Sequence, residues 1–318
     1  MTSEACQVCG GTAFAETYRV RDTNQDVPGE WTIETCAACG LGRLSPMPSA
    51  AQVATFYRDV FYAEDGERFR PWMENMRRGL SGSRAFRLML LRPRPGRLLD
   101  FGAGAGHFAA FMRSRRWAAV AFDPFSAASE GGALEDGSER ISVDCADGHY
   151  DAITLWYVIE HLRDPRGAIR EFHRALRPGG MLVLATQDFA SVQARIFGTR
   201  WLFLDPPRHL FQFSAATLSR MAEQEGFVVR HRSSASLEMG PFTILQSLLN
   251  VIVGNDNYLF RFLKSRALTS GSAGGGRLGP TLLSVLLLPL VGPVALVLYF
   301  VWLARGSGDV FTLYLERR

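Results

Sequence analysis

The chain has 318 residues, 47% of them hydrophobic, with 35 basic and 31 acidic side chains and a net charge of +4. That length holds one large domain with an appendage, or two domains, and that composition can bury a sizeable core. So mild a positive excess, with no stripe of basic and aromatic residues, excludes nucleic acid as an expected partner.

The opening "MTSEACQVCG" has neither a basic nor an apolar leader region, so no secretory signal is expected, and five unpaired thiols then point to a reducing compartment. Four of the cysteines form two pairs, Cys6-x-x-Cys9 and Cys36-x-x-Cys39, each followed at once by glycine (Gly10, Gly40). Two such knuckles offer four thiolates in a tetrahedron, the arrangement of a closed, structural Zn²⁺ ribbon. The strand-like runs between them, "AFAETYRV" and "EWTIETC", are too short to fold without a staple. Disulfides or a redox pair are the competing readings; a redox pair should open a helix in a βαβ setting, which is absent here. Residues 1–45 therefore read as a zinc-ribbon module, and 46–95 as a helical connecting segment.

"GRLLDFGAGAGHFAAF" then reads as strand, glycine turn and helix. Asp100 ends the strand, and Gly102, Gly104 and Gly106 let a ligand approach the main chain at a helix N-terminus. The spacing is G-x-G-x-G, not the G-x-G-x-x-G of dinucleotide sites. "WAAVAFD" is a second strand closing on Asp123, placed where a carboxylate can accept ribose hydroxyls, and Pro124 and Phe125 follow it. "RISVD" is a third strand, "HYDAITLW" a fourth, "RGAIREFHRAL" a helix begun by Asp164-Pro165, and "MLVLATQD" a fifth strand. Alternating apolar strands and helices imply an α/β, Rossmann-like, doubly wound sheet.

"DFGAGAG", "AFDP", "YDAITLWYVIEHLRDP" and "RPGGMLVLATQD" resemble, in order, the motifs of class I S-adenosylmethionine-dependent methyltransferases. The resemblance is greatest to the branch with an N-terminal CxxC pair and a "PPRHLFQFS"-like segment after the fifth strand. It implies seven strands with the last antiparallel beside the sixth. It also implies S-adenosylmethionine as cofactor, with the Gly102–Gly106 turn at its methionine moiety and Asp123 at its ribose. The segment holding Asp144 and Cys145 would lie by the adenine; as a lone thiol, Cys145 otherwise reads as an inert core residue.

The acceptor site of such a sheet lies beyond the strand C-termini. Candidate groups there are Tyr157, Glu160 and His161 after the fourth strand, and Arg208 and His209 in "WLFLDPPRHLFQFS" after the fifth. His209, His161 and Glu160 are the expected catalytic residues, with His209 a base suited to neutral pH; a histidine bonded to its own loop backbone is the competing role. Glu160-His161 resembles part of a metal-binding set in quinone O-methyltransferases, but where that set has a carboxylate three positions before the Glu this chain has Tyr157. Trp201 and Phe203 read as packing.

After "EGFVVRHRSSAS", a sixth strand, residues 239–255 and 278–304 carry no charge, and "TSGSAGGGR" separates them. The second block is long enough, roughly 40 Å as one helix, to span a bilayer. Pro289, Gly292 and Pro293 are expected to break it, and a final strand "DVFTLYL" beside the sixth would return both ends to one side. Residues 240–305 then form a membrane-associated insertion in a methyltransferase domain of 96–239 plus 306–318. Its expected parts are an interfacial helix at 241–253 and a re-entrant hairpin of 281–288 and 294–303, with arginines flanking it on the cytoplasmic side. A single C-terminal anchor is the fallback. The whole reads as a monotopic enzyme on the cytoplasmic face of a membrane. Its expected acceptor is amphiphilic or lipid-linked, such as a polyprenyl-linked sugar, a glycolipid or a quinone-like lipid. A soluble nucleotide-linked sugar acceptor and a non-catalytic membrane adaptor are the rivals. The sequence carries no signal for oligomeric state.

Overall fold

The computed structural model describes residues 5–58, 71–123, 145–264 and 278–318. The expected third strand at 140–144, the site residues Pro124 and Asp144, and the Gly/Ser-rich 269–277 lie outside the described residues.

The strands are β1 (Phe14–Val20), β2 (Trp31–Cys36), β3 (Gly42–Ser45), β4 (Arg97–Phe101), β5 (Ala118–Phe122), β6 (Tyr150–Trp156), β7 (Leu176–Gln187), β8 (Phe211–Gln212), β9 (Phe227–Ser233) and β10 (Val310–Arg317). The helices are α1 (Ala50–Arg58), α2 (Pro71–Leu91), α3 (His107–Ser114), α4 (Pro165–Ala175), α5 (Val192–Phe197), α6 (Ala215–Gln224), α7 (Gly240–Ile252), α8 (Tyr258–Lys264), α9 (Leu278–Leu286) and α10 (Leu288–Ala304).

The larger sheet has the order β5-β4-β6-β7-β10-β9, with β5, β4, β6 and β7 parallel and β10 antiparallel to both neighbours. The last strand lies antiparallel beside β9, as the resemblance implies, and is inserted between it and β7. Strand periodicity divides the core. Leu98, Ala152 and Val183 face α2 and α3, while Leu99, Ile153 and Leu184 face α4 and the N-terminal module. Helix α4 starts as its sequence dictates: Pro165 occupies the first turn, and the Asp164 carboxylate caps the Gly167 amide at 2.9 Å.

The chain leaves β4 to build β5 on one side and crosses back to build β6 on the other. The crevice of such a reversal opens at the strand C-termini, between β4 and β6.

The N-terminal module does not close its own sheet. Its order is β1-β2-β3-β8, and β8 comes from residues 211–212, far along the chain. The Leu44 amide also donates to the Leu210 carbonyl at 2.9 Å. The boundary at 45 is therefore one of sequence only, and one apolar core runs from Cys6 and Ile33 through to Leu184.

In the apolar insertion the break falls at Leu287, where α9 and α10 meet at a 63° bend, and not at Pro289–Pro293. Pro289 sits in the first turn of α10, where its missing N–H has no intrahelical partner to lose, and the helix continues through Pro293. No single described helix is long and apolar enough to cross a membrane; α9 and α10 together reach that length only as a bent pair. Helix α10 is apolar on every face but buries one stripe, Val291, Ala295, Tyr299 and Trp302, mainly against α7. The would-be Cβ of Gly240 falls 2.4 Å from the Tyr299 ring, so only glycine lets α7 start there. Leu286, Leu290, Val297 and Phe300 stay exposed.

Candidate functional site

The turn after β4 is built from three residues in the left-handed region, Gly102, Gly104 and Gly106, at φ 76°, 54° and 73°. The Gly102 and Ala103 amides donate to the Phe122 carbonyl, and Gly104 donates to Asp123 Oδ2 at 2.9 Å. Clearance at Gly102 has a second cause beside the ligand: a Cβ there would strike Val158 at 2.3 Å. The turn after β6 is thereby locked against the turn after β4.

These turns floor a cavity lined by Asp100, Gly102, Ala103 and Gly104 from one side and by Trp156, Tyr157, Glu160 and His161 from the other. Asp100 is buried and accepts from the Thr154 hydroxyl at 2.8 Å. Burial pushes its carboxyl up to about 7, against the opposing pull of Thr154 and of Arg84. Trp156 also lines the cavity, and its buried Nε1 has no acceptor among the described residues. The Arg84 guanidinium lies 5.4 Å from the Trp156 ring and pairs with Glu238.

Tyr157 holds a left-handed backbone (φ 60°), stacks on Phe203, and places its hydroxyl 3.2 Å from that of Ser236. The Glu160 carbonyl accepts the Leu210 amide at 2.9 Å, which brings the 201–210 loop over the turn. His161 Nδ1 donates to the Arg208 carbonyl at 2.9 Å, and His209 Nδ1 to the Phe203 carbonyl at 2.7 Å. A carbonyl accepts only, so both rings carry a proton on Nδ1. The Gln187 amide nitrogen, 3.2 Å from His209 Nδ1, is the weaker neighbour of that atom. His209 thus bonds its own loop backbone, and its Nε2 lies 3.9 Å from Asp205 Oδ2. The Glu160 carboxylate and the two rings bring one ligand atom each within 4.8 Å of one another.

Of the residues expected at the site, Asp100, Gly102, Gly104, Tyr157, Glu160, His161 and His209 line the cavity. Gly106 caps α3 and Asp123 accepts from the Gly104 amide; neither is among the residues lining the cavity. Two expectations are corrected. Cys145 does not line this cavity: its carbonyl and the Asp147 carboxylate are tied by Arg174 to the C-terminus of α4, at the strand end opposite the glycine turn. Arg208 does not face an acceptor. Its guanidinium is fully buried among Asp22, Asp205 and Gln25. Against the upward push of burial, Arg208 holds the Asp205 carboxyl far below the usual carboxylate range. Ser81, Arg84, Asn24, Glu238 and Phe260 also line the cavity. They come from four distant segments without motif spacing; only the positive charge of Arg84 within α2 was visible as a signal.

At the N-terminus the two knuckles repeat each other. Gly10 donates to the Cys6 carbonyl and Cys6 to that of Gly11; Gly40 donates to the Cys36 carbonyl and Cys36 to that of Leu41. Gly10 and Gly40 hold φ 74° and 80° with open space around them, so conformation and not crowding selects glycine. The Cys6–Cys39 and Cys9–Cys36 sulfur separations are 3.5 and 3.6 Å, and all four sulfurs lie within 4.8 Å. Tetrahedral Zn–S bonds near 2.3 Å require sulfur separations of about 3.8 Å, so the set fits the ion.

A family model described as "Methyltransferase domain" matches residues 72–232, half of the chain. The chain belongs to this methyltransferase-domain family. Among curated relatives, the ubiquinone biosynthesis O-methyltransferase of Aeromonas salmonicida (strain A449) is 29% identical over 155 residues, 43% of this chain and 65% of that protein. The demethylmenaquinone methyltransferase of Corynebacterium efficiens is 33% identical over 61 residues, 19% of this chain and 26% of that protein. The chain spans less than two thirds of the length of these relatives. Of solved structures, a SAM-dependent methyltransferase from Archaeoglobus fulgidus covers 76% of this methyltransferase-family chain and 94% of its own, at 14% identity and a TM-score of 0.45. At that score the strand order, not the likeness, assigns the fold.

Proposed function

We propose that this chain transfers a methyl group from S-adenosylmethionine to an amphiphilic acceptor at a membrane surface. The observation that carries the reading is the cavity at the β4/β6 reversal, floored by bare main chain from Gly102 to Gly104 and faced by His209 and His161. Its residues fit the cofactor. Asp100 and the turn would hold the methionine moiety, Trp156 Nε1 is a donor for its carboxylate, and Asp123 is assigned to the ribose. When bound, the cofactor supplies an already activated methyl group, so the protein has mainly to orient the acceptor and remove a proton. His209 Nε2 is the proposed proton acceptor, its ring held by the Phe203 carbonyl. Glu160 and His161 position the acceptor beside it. The quinone-related relatives and the exposed apolar surface of α9 and α10 support a lipophilic acceptor. Cys6, Cys9, Cys36 and Cys39 would hold one structural Zn²⁺, and the insertion would rest on the cytoplasmic face of the membrane.

Two measurements test this. Calorimetry should show binding of S-adenosylhomocysteine, and labelled S-adenosylmethionine should pass its methyl group to a component of a lipid extract, identified by mass spectrometry. A protein that binds neither nucleoside ends the reading.

A second reading concerns the site's electrophile. The convergence of Glu160, His161 and His209 favours a divalent cation there, with His209 standing in for the carboxylate that Tyr157 replaces. Loss of transfer on chelation, restored by Mg²⁺ or Zn²⁺ while Cys-bound zinc is retained, would select it over the proton-acceptor role.

A further inference from the structure

A second cavity, of about 470 Å³, opens beside the first. Pro241 and Leu245 of α7 form one wall, and Pro293 and Leu296 of α10 form the other. Glu238 lines both cavities, so the polar pocket and the apolar groove share a wall. Glu238 is paired with Arg84 and does not present a lone charge to the groove. The groove's outer side is continuous with the exposed apolar residues of α10, Leu290, Val294 and Val297.

Gly292 has the decisive position. It lines the groove within α10, and a Cβ built on it meets nothing within 4 Å. A glycine inside a helix costs stability relative to alanine, and no packing contact or positive φ requires it here. The space beside it is open, and a large side chain at 292 would project into the groove between α10 and α7.

We propose that the groove between α7 and α10 holds the hydrocarbon tail of the acceptor, whose polar head reaches the cavity at His209 past the Arg84–Glu238 pair. The assignment rests on the methyl-transfer reading above for the identity of the head site, but the groove itself does not. The tail enters from the greasy outer face of α10, slides along Leu245 and Leu296, and leaves its polar end beside Met239, the residue after Glu238 and part of the head cavity. Chain length is then sensed in the insertion and chemistry is performed in the sheet.

The test uses the full chain in detergent micelles and a catechol bearing a 15-carbon alkyl tail with a diazirine near the tail's end. After photolysis, wild-type protein should carry the label on peptides containing Pro241–Leu245 and Gly292–Leu296. Unlabelled long-tail catechol should suppress it, and tail-less catechol at equal concentration should not. Gly292→Phe fills the groove and should cut this labelling at least tenfold, with S-adenosylhomocysteine affinity within twofold of wild type. Gly292→Ala should label nearly as well as wild type. Should Gly292→Phe not fold, Gly292→Leu and Leu245→Phe provide the graded loss. Undiminished labelling in the filled variants, or label confined to the outer residues Leu286, Leu290 and Val297, overturns the proposal. Absence of S-adenosylhomocysteine binding with groove labelling intact would instead strike the methyl-transfer reading and leave the groove standing.

Discussion

Arg208 Nη2 lies 2.7 Å from Asp22 Oδ1, joining the loop after β1 to the segment between α5 and β8 with both side chains fully buried. Asp22 also accepts from the Asn24 and Val27 amides, and Arg208 reaches Asp205 and Gln25. The N-terminal module is therefore bolted to the segment that carries His209. Removing one member of such a set leaves an uncompensated buried charge, which costs about 3–5 kcal/mol. Arg208→Ala should lose that much in urea denaturation. Arg208→Lys should recover little, because an ammonium cannot reproduce the planar fork. A loss below about 1 kcal/mol would mean the pair is solvated.

His209 is the residue whose loss should separate chemistry from binding. His209→Ala is expected to lower the methyl-transfer rate by about 10²–10⁴-fold, with S-adenosylhomocysteine affinity unchanged. Parallel loss of cofactor affinity would instead make His209 a support of the cavity.

Two buried carboxyls set an unusual pH response. Burial pushes both Asp100 and Asp309 up to about 7, above an ordinary value near 3.8. A raised carboxyl pKa means the folded state holds its proton more tightly than the unfolded chain. The associated stability is complete below the unfolded pKa and is lost as pH rises through about 7. Asp309 lies outside the cavity, beside the start of α7, where burial outweighs the opposing pull of Thr243. Asp309→Asn should therefore match wild type near pH 4 and exceed it at pH 8, by on the order of a few kcal/mol. Equal stability at both pH values would show an ionised, well-partnered Asp309.

The proposed zinc should be felt at the active loop, because β8 completes the N-terminal sheet. Metal analysis should return about one zinc per chain. Cys9→Ser with Cys36→Ser should abolish it and speed hydrogen exchange at the Leu44 amide, which ties the module to that loop through the Leu210 carbonyl. Unchanged exchange in a zinc-free protein would make the module a passive appendage.

The proposed membrane attachment would use the outer face of α9 and α10. Leu286 and Leu290 are 76% and 70% exposed, so charge there disturbs no packing. Leu286→Glu with Leu290→Glu should shift the protein from the vesicle-bound to the free fraction in co-sedimentation, with cofactor affinity intact. Retention on vesicles would move the contact elsewhere.

Much of the frame was legible in the residues themselves. Strand periodicity, the G-x-G-x-G turn, the Asp164-Pro165 helix start and the doubled CxxC are all short-range patterns. Each is decided by local backbone geometry and by which faces must be buried. Tertiary structure alone decided that Gly102 is cleared partly for Val158, that Arg208 turns inward to Asp22, and that Cys145 sits at the far end of the sheet. It also decided that Arg84 and Glu238 meet between two cavities and that the insertion bends at Leu287. Those outcomes depend on side chains brought together from distant segments, where burial forces every charge to find a counter-charge and every void to be filled or kept. No local pattern encodes which partner that will be.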